Sequence, residues 1–198
     1  LRCLVGSEMC IRDRINKIYC IPGNAGTDEI ATNIFADIND FDEIYKIVLK
    51  LNVELIVVGP EIPLVNGIVD YFEKKNIKIF GPNKKCSQLE GSKFFMKNIC
   101  KKYNIPSAKY FEISDINQIE KFLSSVSFPV VVKSDGLAAG KGVTICNNLD
   151  EVIKDVQEIL DGKFKSSNKV FIEEFLEGEE LSYFCLLYTS DAADEWLR

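Results

Sequence analysis

The 198-residue sequence has no histidine and a single tryptophan. Without imidazole, Ser-His and Cys-His nucleophilic pairs and any His-ligated metal are excluded from what this segment could do by itself. No apolar run approaches the roughly 20 residues a membrane-spanning helix requires. The longest candidates, Glu54 to Gly59 and Phe128 to Val132, are strand-sized. There is no internal repeat, no low-complexity tract and no C-x-x-C pair. The seven cysteines (Cys3, Cys10, Cys20, Cys86, Cys100, Cys146, Cys185) are an odd number. That suits reduced, buried thiols better than disulfides or zinc, and a cytosolic compartment. A net charge of −6 and a pI near 4.9 argue against a surface that follows nucleic-acid phosphates or anionic lipid. A local basic pocket stays open. With 46% hydrophobic residues the chain can bury a real core in one or two compact domains.

The two ends differ from the middle. Residues 1–14 lack the basic, apolar and small-residue zones of a signal peptide. Met9-Cys10-Ile11-Arg12-Asp13 can be encoded by ATG TGT ATA AGA GAC, and Cys185-Leu186-Leu187-Tyr188-Thr189 by TGT CTC TTA TAC ACA. These are reverse complements over most of their length, like the inverted adapter at both ends of a sequencing insert. The expectation is that residues 1–14 and 185–198 are non-native scar.

Between the ends, short β-branched runs alternate with amphipathic stretches of helix length, the pattern of an α/β protein with a parallel sheet. The periodicity predicts a strand over Lys17 to Ile21, a helix over Asp40 to Leu51 capped by Asp40, and a strand over Glu54 to Val58. A turn at Gly59-Pro60-Glu61, a helix from Leu64 to Lys74 and a strand from Lys78 to Phe80 complete a βαβαβ series. Ligands on open parallel sheets sit beyond the carboxyl ends of the strands, here the loops Pro22 to Thr27 and Gly59 to Leu64. Residues 15–89 thus read as a Rossmann-like N-terminal α/β domain. Residues 90–184 read as a small α+β subdomain. Its expected order is helix Ser92 to Tyr103, strand Lys109 to Ile113, helix Asp115 to Ser124, strand Pro129 to Lys133, strand Gly142 to Cys146, helix Leu149 to Leu160 and strand Lys169 to Glu174.

The most informative stretch runs from Val130 to Val143. A strand delivers Lys133, and a loop of Gly and Ala then carries Lys141 before another strand begins. Small residues let backbone N–H groups approach phosphate oxygens, and the lysines supply countercharge for a triphosphate. The spacing Gly136-x-x-x-Gly140-Lys141-Gly142 is one residue short of a Walker loop, lacks its Ser/Thr and leads into a strand. The run Val170 to Ser182 is a buried strand entering a carboxylate-rich turn. Such a backbone can pair with an adenine edge and such a carboxylate with ribose hydroxyls, although a charged turn is more often simply solvated.

In combination, several motifs carry a resemblance: Pro22-Gly23-Asn24-Ala25-Gly26-Thr27, Val58-Gly59-Pro60-Glu61-x-Pro63-Leu64-Val65-x-Gly67, Leu89-Glu90-Gly91-Ser92-Lys93, the Lys133 to Gly142 loop, and Ile172 to Glu180. By their order and spacing, Tyr19 to Phe184 resembles the ATP-grasp superfamily and, within it, the phosphoribosylamine-glycine ligases. The resemblance implies a pre-ATP-grasp parallel-sheet domain followed by part of an ATP-grasp domain. It assigns Lys93 and Lys133 to the ATP phosphates, with Lys133 and Lys141 as the catalytic pair and Gly140, Lys141 and Gly142 as a loop closing over the nucleotide. Glu173, Glu174, Phe175 and Leu176 match the adenine-facing strand end, and Glu180 the ribose carboxylate. Asn24, Gly26 and Thr27, with Gly59, Pro60, Glu61, Pro63 and Leu64, match the side facing phosphoribosylamine. Ser134 departs from the family, where alanine is more frequent.

The implied reaction uses ATP and Mg²⁺ (or Mn²⁺) to phosphorylate the glycine carboxylate, which the amine of 5-phosphoribosylamine then attacks. The implied partners are these small molecules, not nucleic acid or membrane, and the parent would be a monomer or fused to other purine enzymes. The family's metal ligands would lie past Phe184, so the polypeptide as given is expected to be inactive. Two other readings stay open. One is a different ATP-grasp carboxylate-amine ligase, against which the Gly59 to Leu64 loop speaks. The other is a non-catalytic nucleotide-binding module, which loss of Lys133 or Lys141 would have favoured.

Overall fold

A computed structural model of the chain describes residues 15–113, 115–137, 142–164, 169–179 and 181. They fall into two compact units, one built on residues up to Ile44 together with those from Gly178, the other on Tyr45–Glu177.

In the first unit, strands β1 (Tyr19–Cys20) and β2 (Thr32–Asn33) pair in parallel, with a 3₁₀ turn at Thr27–Glu29 between them. Helix α1 (Phe41–Leu51) starts here, and the Asp40 carboxylate accepts the Glu43 N–H at 2.9 Å, the cap expected from its position.

In the second unit, β3 (Ile56–Val57) and β4 (Ile79–Phe80) form another parallel pair. Two short helices connect them, α2 (Glu61–Asn66) and α3 (Ile68–Glu73). Between these, Gly67 adopts φ +95°, and its N–H closes on the carbonyls of Pro63 and Leu64. The single helix expected over Leu64 to Lys74 is thereby broken into two. The βαβαβ series also differs from expectation in its ladders. Among the described residues β1 hydrogen-bonds to β2, a strand not foreseen, and β3 to β4.

Helix α4 (Lys84–Gly91), capped by Asn83, was likewise not foreseen, and Leu89 lies inside it. Ser92 ends α4 and caps α5 (Lys93–Lys102) by accepting the Phe95 N–H. Beyond α5 stands an antiparallel sheet in the order β5-β8-β6-β7, made of β5 (Tyr110–Ile113), β6 (Val130–Ser134), β7 (Val143–Cys146) and β8 (Val170–Glu174). Helices α6 (Ile119–Leu123) and α7 (Leu149–Leu160) cover one face. Their apolar residues meet Ile113, Val130, Val132, Val170 and Ile172 in one core. Because side chains alternate across a strand, Val130, Val132 and Ser134 point into that core while Lys133 points to the opposite face.

Candidate functional site

The site is built on that opposite face. In the β6–β8 register Lys133 stands across from Phe171, and Glu173 across from Val131. Lys133 and Glu173 are therefore diagonal neighbours on one face, a separation that long side chains span. The Lys133 ammonium donates to Glu173 Oε2 at 2.6 Å. Helix α5 lies against this face, with Phe94 edge-on to Phe171 and the Lys97 ammonium 2.9 Å from Glu173 Oε1. The latter contact is one of charge, because Oε1 receives no aligned hydrogen bond among the described residues. Lys97 instead donates to Ser107 Oγ at 2.6 Å and to the Ala108 carbonyl at 3.2 Å.

Lys93 opens the same helix and donates to the Gly136 carbonyl at 2.8 Å, at the start of the loop that joins β6 to β7. Asp135 holds the helix start. Its carboxylate accepts from Ser92 Oγ at 3.2 Å and lies 3.4 Å from the Phe94 N–H, an acceptor placed at the positive end of a helix. Burial pulls the Lys93 ammonium below its ordinary value, the Asp135 carboxylate raises it again, and the positive charge of Lys133 depresses it further. Lys93 and Lys133 thus lie close enough for the charge of one to bear on the other. The loop between β6 and β7 is anchored where the Ser134 N–H donates to the Gly142 carbonyl at 2.9 Å. Gly142 is buried, whereas Gly140 and Lys141 lie outside the described residues, as does Glu180.

The residues expected on the adenine side differ among themselves. Glu173 is buried and its carboxylate is occupied by two ammonium groups, so its side chain faces inward. Glu174 folds back to accept the Lys109 N–H at 2.9 Å. Phe175 and Leu176 are exposed just beyond the strand.

The two loops expected to face the substrate belong to different units. In the first, the Asn24 side chain accepts the N–H groups of Gly26 at 2.8 Å and Thr27 at 3.0 Å. Thr27 Oγ1 accepts the Asn24 N–H at 2.8 Å. Asn33 closes the ring by donating to the Asn24 carbonyl at 2.8 Å. Gly23 sits at φ +77°, and a Cβ there would run into the Asn33 side chain. In the second, Gly59, Pro60 and Glu61 are exposed, with open space beside Gly59. Pro63 is buried, and Leu64 lies beside Gly81, so these two support the loop from below.

Three residues were missed by sequence reasoning. Lys97 had a signal: spaced i, i+4 from Lys93, it shares that lysine's helix face. Asp135 and Asn33 had none, since their partners come from other elements.

A model of the phosphoribosylglycinamide synthetase ATP-grasp (A) domain matches residues 91–194, and one of that enzyme's N domain matches residues 7–90. The phosphoribosylamine-glycine ligase of Caldanaerobacter subterraneus subsp. tengcongensis is 41% identical over 181 residues, covering 88% of this chain and 42% of the relative. The chloroplastic phosphoribosylamine-glycine ligase of Arabidopsis thaliana is 45% identical over 177 residues, covering 87% of this chain and 33% of the relative. The crystal structure of the Thermotoga maritima phosphoribosylamine-glycine ligase superposes with a TM-score of 0.65 at 30% identity, covering 84% of this chain and 40% of that one. The chain spans a third to about two-fifths of the length of these proteins. With both of its parts matched in this way, the chain belongs to the phosphoribosylglycinamide synthetase family.

Proposed function

We propose that this chain carries the phosphate grip and part of the substrate side of an ATP-dependent ligase that joins glycine to 5-phosphoribosylamine. The observation that supports this reading is the placement of two neighbouring ammonium groups beside the β6–β7 loop: Lys93 donates to the Gly136 carbonyl at the start of that loop, and Lys133, near the end of β6, lies close enough for its charge to depress that of Lys93. A carboxylate does not lose oxygen to an amine at neutral pH, so it must first be activated. The γ-phosphoryl group of ATP moves to a glycine carboxylate oxygen and ADP leaves. The amine nitrogen of phosphoribosylamine then attacks the acyl carbon, loses a proton and expels phosphate, giving glycinamide ribonucleotide.

In this scheme Lys93 and Lys133 neutralise charge on the transferred group, and the small residues up to Gly142 let the backbone approach its oxygens. Gly140 and Lys141 would complete the closing loop, and Glu180 would hold the ribose. Backbone groups around Glu174, Phe175 and Leu176 would meet the adenine, with Glu173 acting through the lysines. Asn24, Gly26 and Thr27 lie in a hydrogen-bonded turn of the first unit and Gly59, Pro60 and Glu61 in an open turn of the second, each by itself a candidate for contact with phosphoribosylamine. Mg²⁺ or Mn²⁺ supplies further charge neutralisation when bound. Among the described residues no group of three His, Cys, Asp or Glu side chains is placed to hold such an ion, so no step is assigned to it.

The test is a chimera in which Ile15 to Leu181 replaces the matched segment of the Caldanaerobacter ligase. Phosphate release that requires both glycine and phosphoribosylamine is expected, with at least a hundredfold loss in Lys133→Met. Release indifferent to either substrate overturns the assignment.

A further inference from the structure

The geometry points to Lys97 as a positioning residue: we infer that it carries the countercharge of Glu173, so that Glu173 can orient Lys133 without cancelling the charge Lys133 offers to a phosphate. This rests on the reading of Lys133 as a phosphate-holding group.

An ammonium 2.6 Å from a carboxylate is by itself a neutral pair. A phosphate oxygen approaching such a pair must compete with an internal carboxylate that is already in place, and it gains little from doing so. In this chain the other oxygen of Glu173 faces a second ammonium, that of Lys97, at 2.9 Å. Two cations on one carboxylate leave the trio with an excess positive charge.

Where that excess emerges is decided by burial. The Lys97 side chain is 5% exposed, whereas that of Lys133 is 27% exposed. Lys97 is also held by Ser107, by the Ala108 carbonyl and by the Tyr110 ring, whose centroid is 5.4 Å from its ammonium. Among the described residues these contacts enclose its ammonium. The excess charge is therefore presented by Lys133 alone, on the side that Lys93 shares. Glu173 in turn limits the rotamers of Lys133, so its ammonium is aimed before a ligand arrives.

The experiment is an ATP titration by calorimetry on the whole chain and on Lys97→Met, Glu173→Gln and the double variant, with a melting curve for each. In Lys97→Met, Lys133 is left alone with Glu173, and affinity for ATP should fall about tenfold or more. In the double variant the carboxylate charge is gone too, Lys133 is again an uncancelled cation, and affinity should return to within about threefold of wild type. A role for Lys97 in packing alone, or in direct contact with phosphate, predicts a double variant at least as poor as the single one. The double variant replaces a buried ion pair by neutral groups of similar size, an exchange that folds tolerate. It therefore decides the point even where Lys97→Met does not fold.

Unchanged affinity in Lys97→Met, or a double variant that fails to fold or to recover, overturns the inference and leaves the nucleotide reading standing. A wild-type chain that binds no ATP overturns both.

Discussion

Glu173 lies one diagonal step from Lys133 across the β6–β8 ladder, and that offset brings carboxylate and ammonium to 2.6 Å on the face away from the hydrophobic core. The same carboxylate neutralises Lys97 from behind. Glu173→Gln should thus leave a deeply buried ammonium without its counterion. The expected cost is about 3–5 kcal/mol of folding stability. Urea denaturation of the two proteins measures it, and a loss under about 1 kcal/mol is incompatible with this pairing.

Ser134 should behave in the opposite sense. Its hydroxyl is fully buried on the core face of β6 and has no hydrogen-bond partner among the described residues. Removing an unsatisfied buried polar atom relieves its desolvation cost, so Ser134→Ala should stabilise the fold by about 1 kcal/mol. A destabilisation of that size, read from the melting temperature, would show that the hydroxyl has a partner.

In the Pro22 to Thr27 turn, Gly23 has both a left-handed φ of +77° and no room for a Cβ beside Asn33. Gly23→Ala should cost about 1–2 kcal/mol from the backbone conformation alone, with the Asn33 contact added to it. Hydrogen exchange at the amides of Gly26 and Thr27, both bound to the Asn24 side chain, should speed up. Exchange unchanged in the variant contradicts the ring of contacts.

Two groups give opposite pH signatures. Burial, reinforced by Asp155 and Glu151, pushes the Cys146 thiol up from 9.0 to about 11. Above pH 9 the unfolded chain loses this proton first, so stability present at neutral pH drains away as pH rises through about 11. Lys93 is lowered below 10.5, chiefly by burial, so between its lowered value and 10.5 the unfolded state holds more protons and stability rises with pH. Comparing alkaline denaturation of wild type with Cys146→Ala and Lys93→Met separates them. The first variant should lose less stability on alkalinisation than wild type and the second more. A thiol reagent at pH 8 should label exposed Cys86 well before buried Cys146.

Much of this was legible in the sequence because short-range patterns carried it. The strand Val130–Ser134, the helix Leu149–Leu160 and the strand Val170–Glu174 follow from alternation and periodicity. The flanking lysines drew attention to the β6–β7 loop. Legibility ended where partners come from elsewhere in the chain. Lys97 shares the helix face of Lys93 by its spacing, but its burial against Glu173 shows only once the sheet brings that carboxylate to it. Glu173, read as facing adenine, turns inward because the alternation of β8 puts it beside α5. The turn at Gly67 split a helix that looked continuous, since its positive φ serves a connection that hydrophobic spacing does not register.

Titrating ATP into the chain and into Lys93→Met and Lys133→Met tests most directly whether these two ammonium groups hold one triphosphate. Saturable binding by wild type is predicted, with each single variant weaker by about tenfold or more, the worth of a charge-assisted contact. Undiminished affinity in either variant, or none in the wild type, would contradict it.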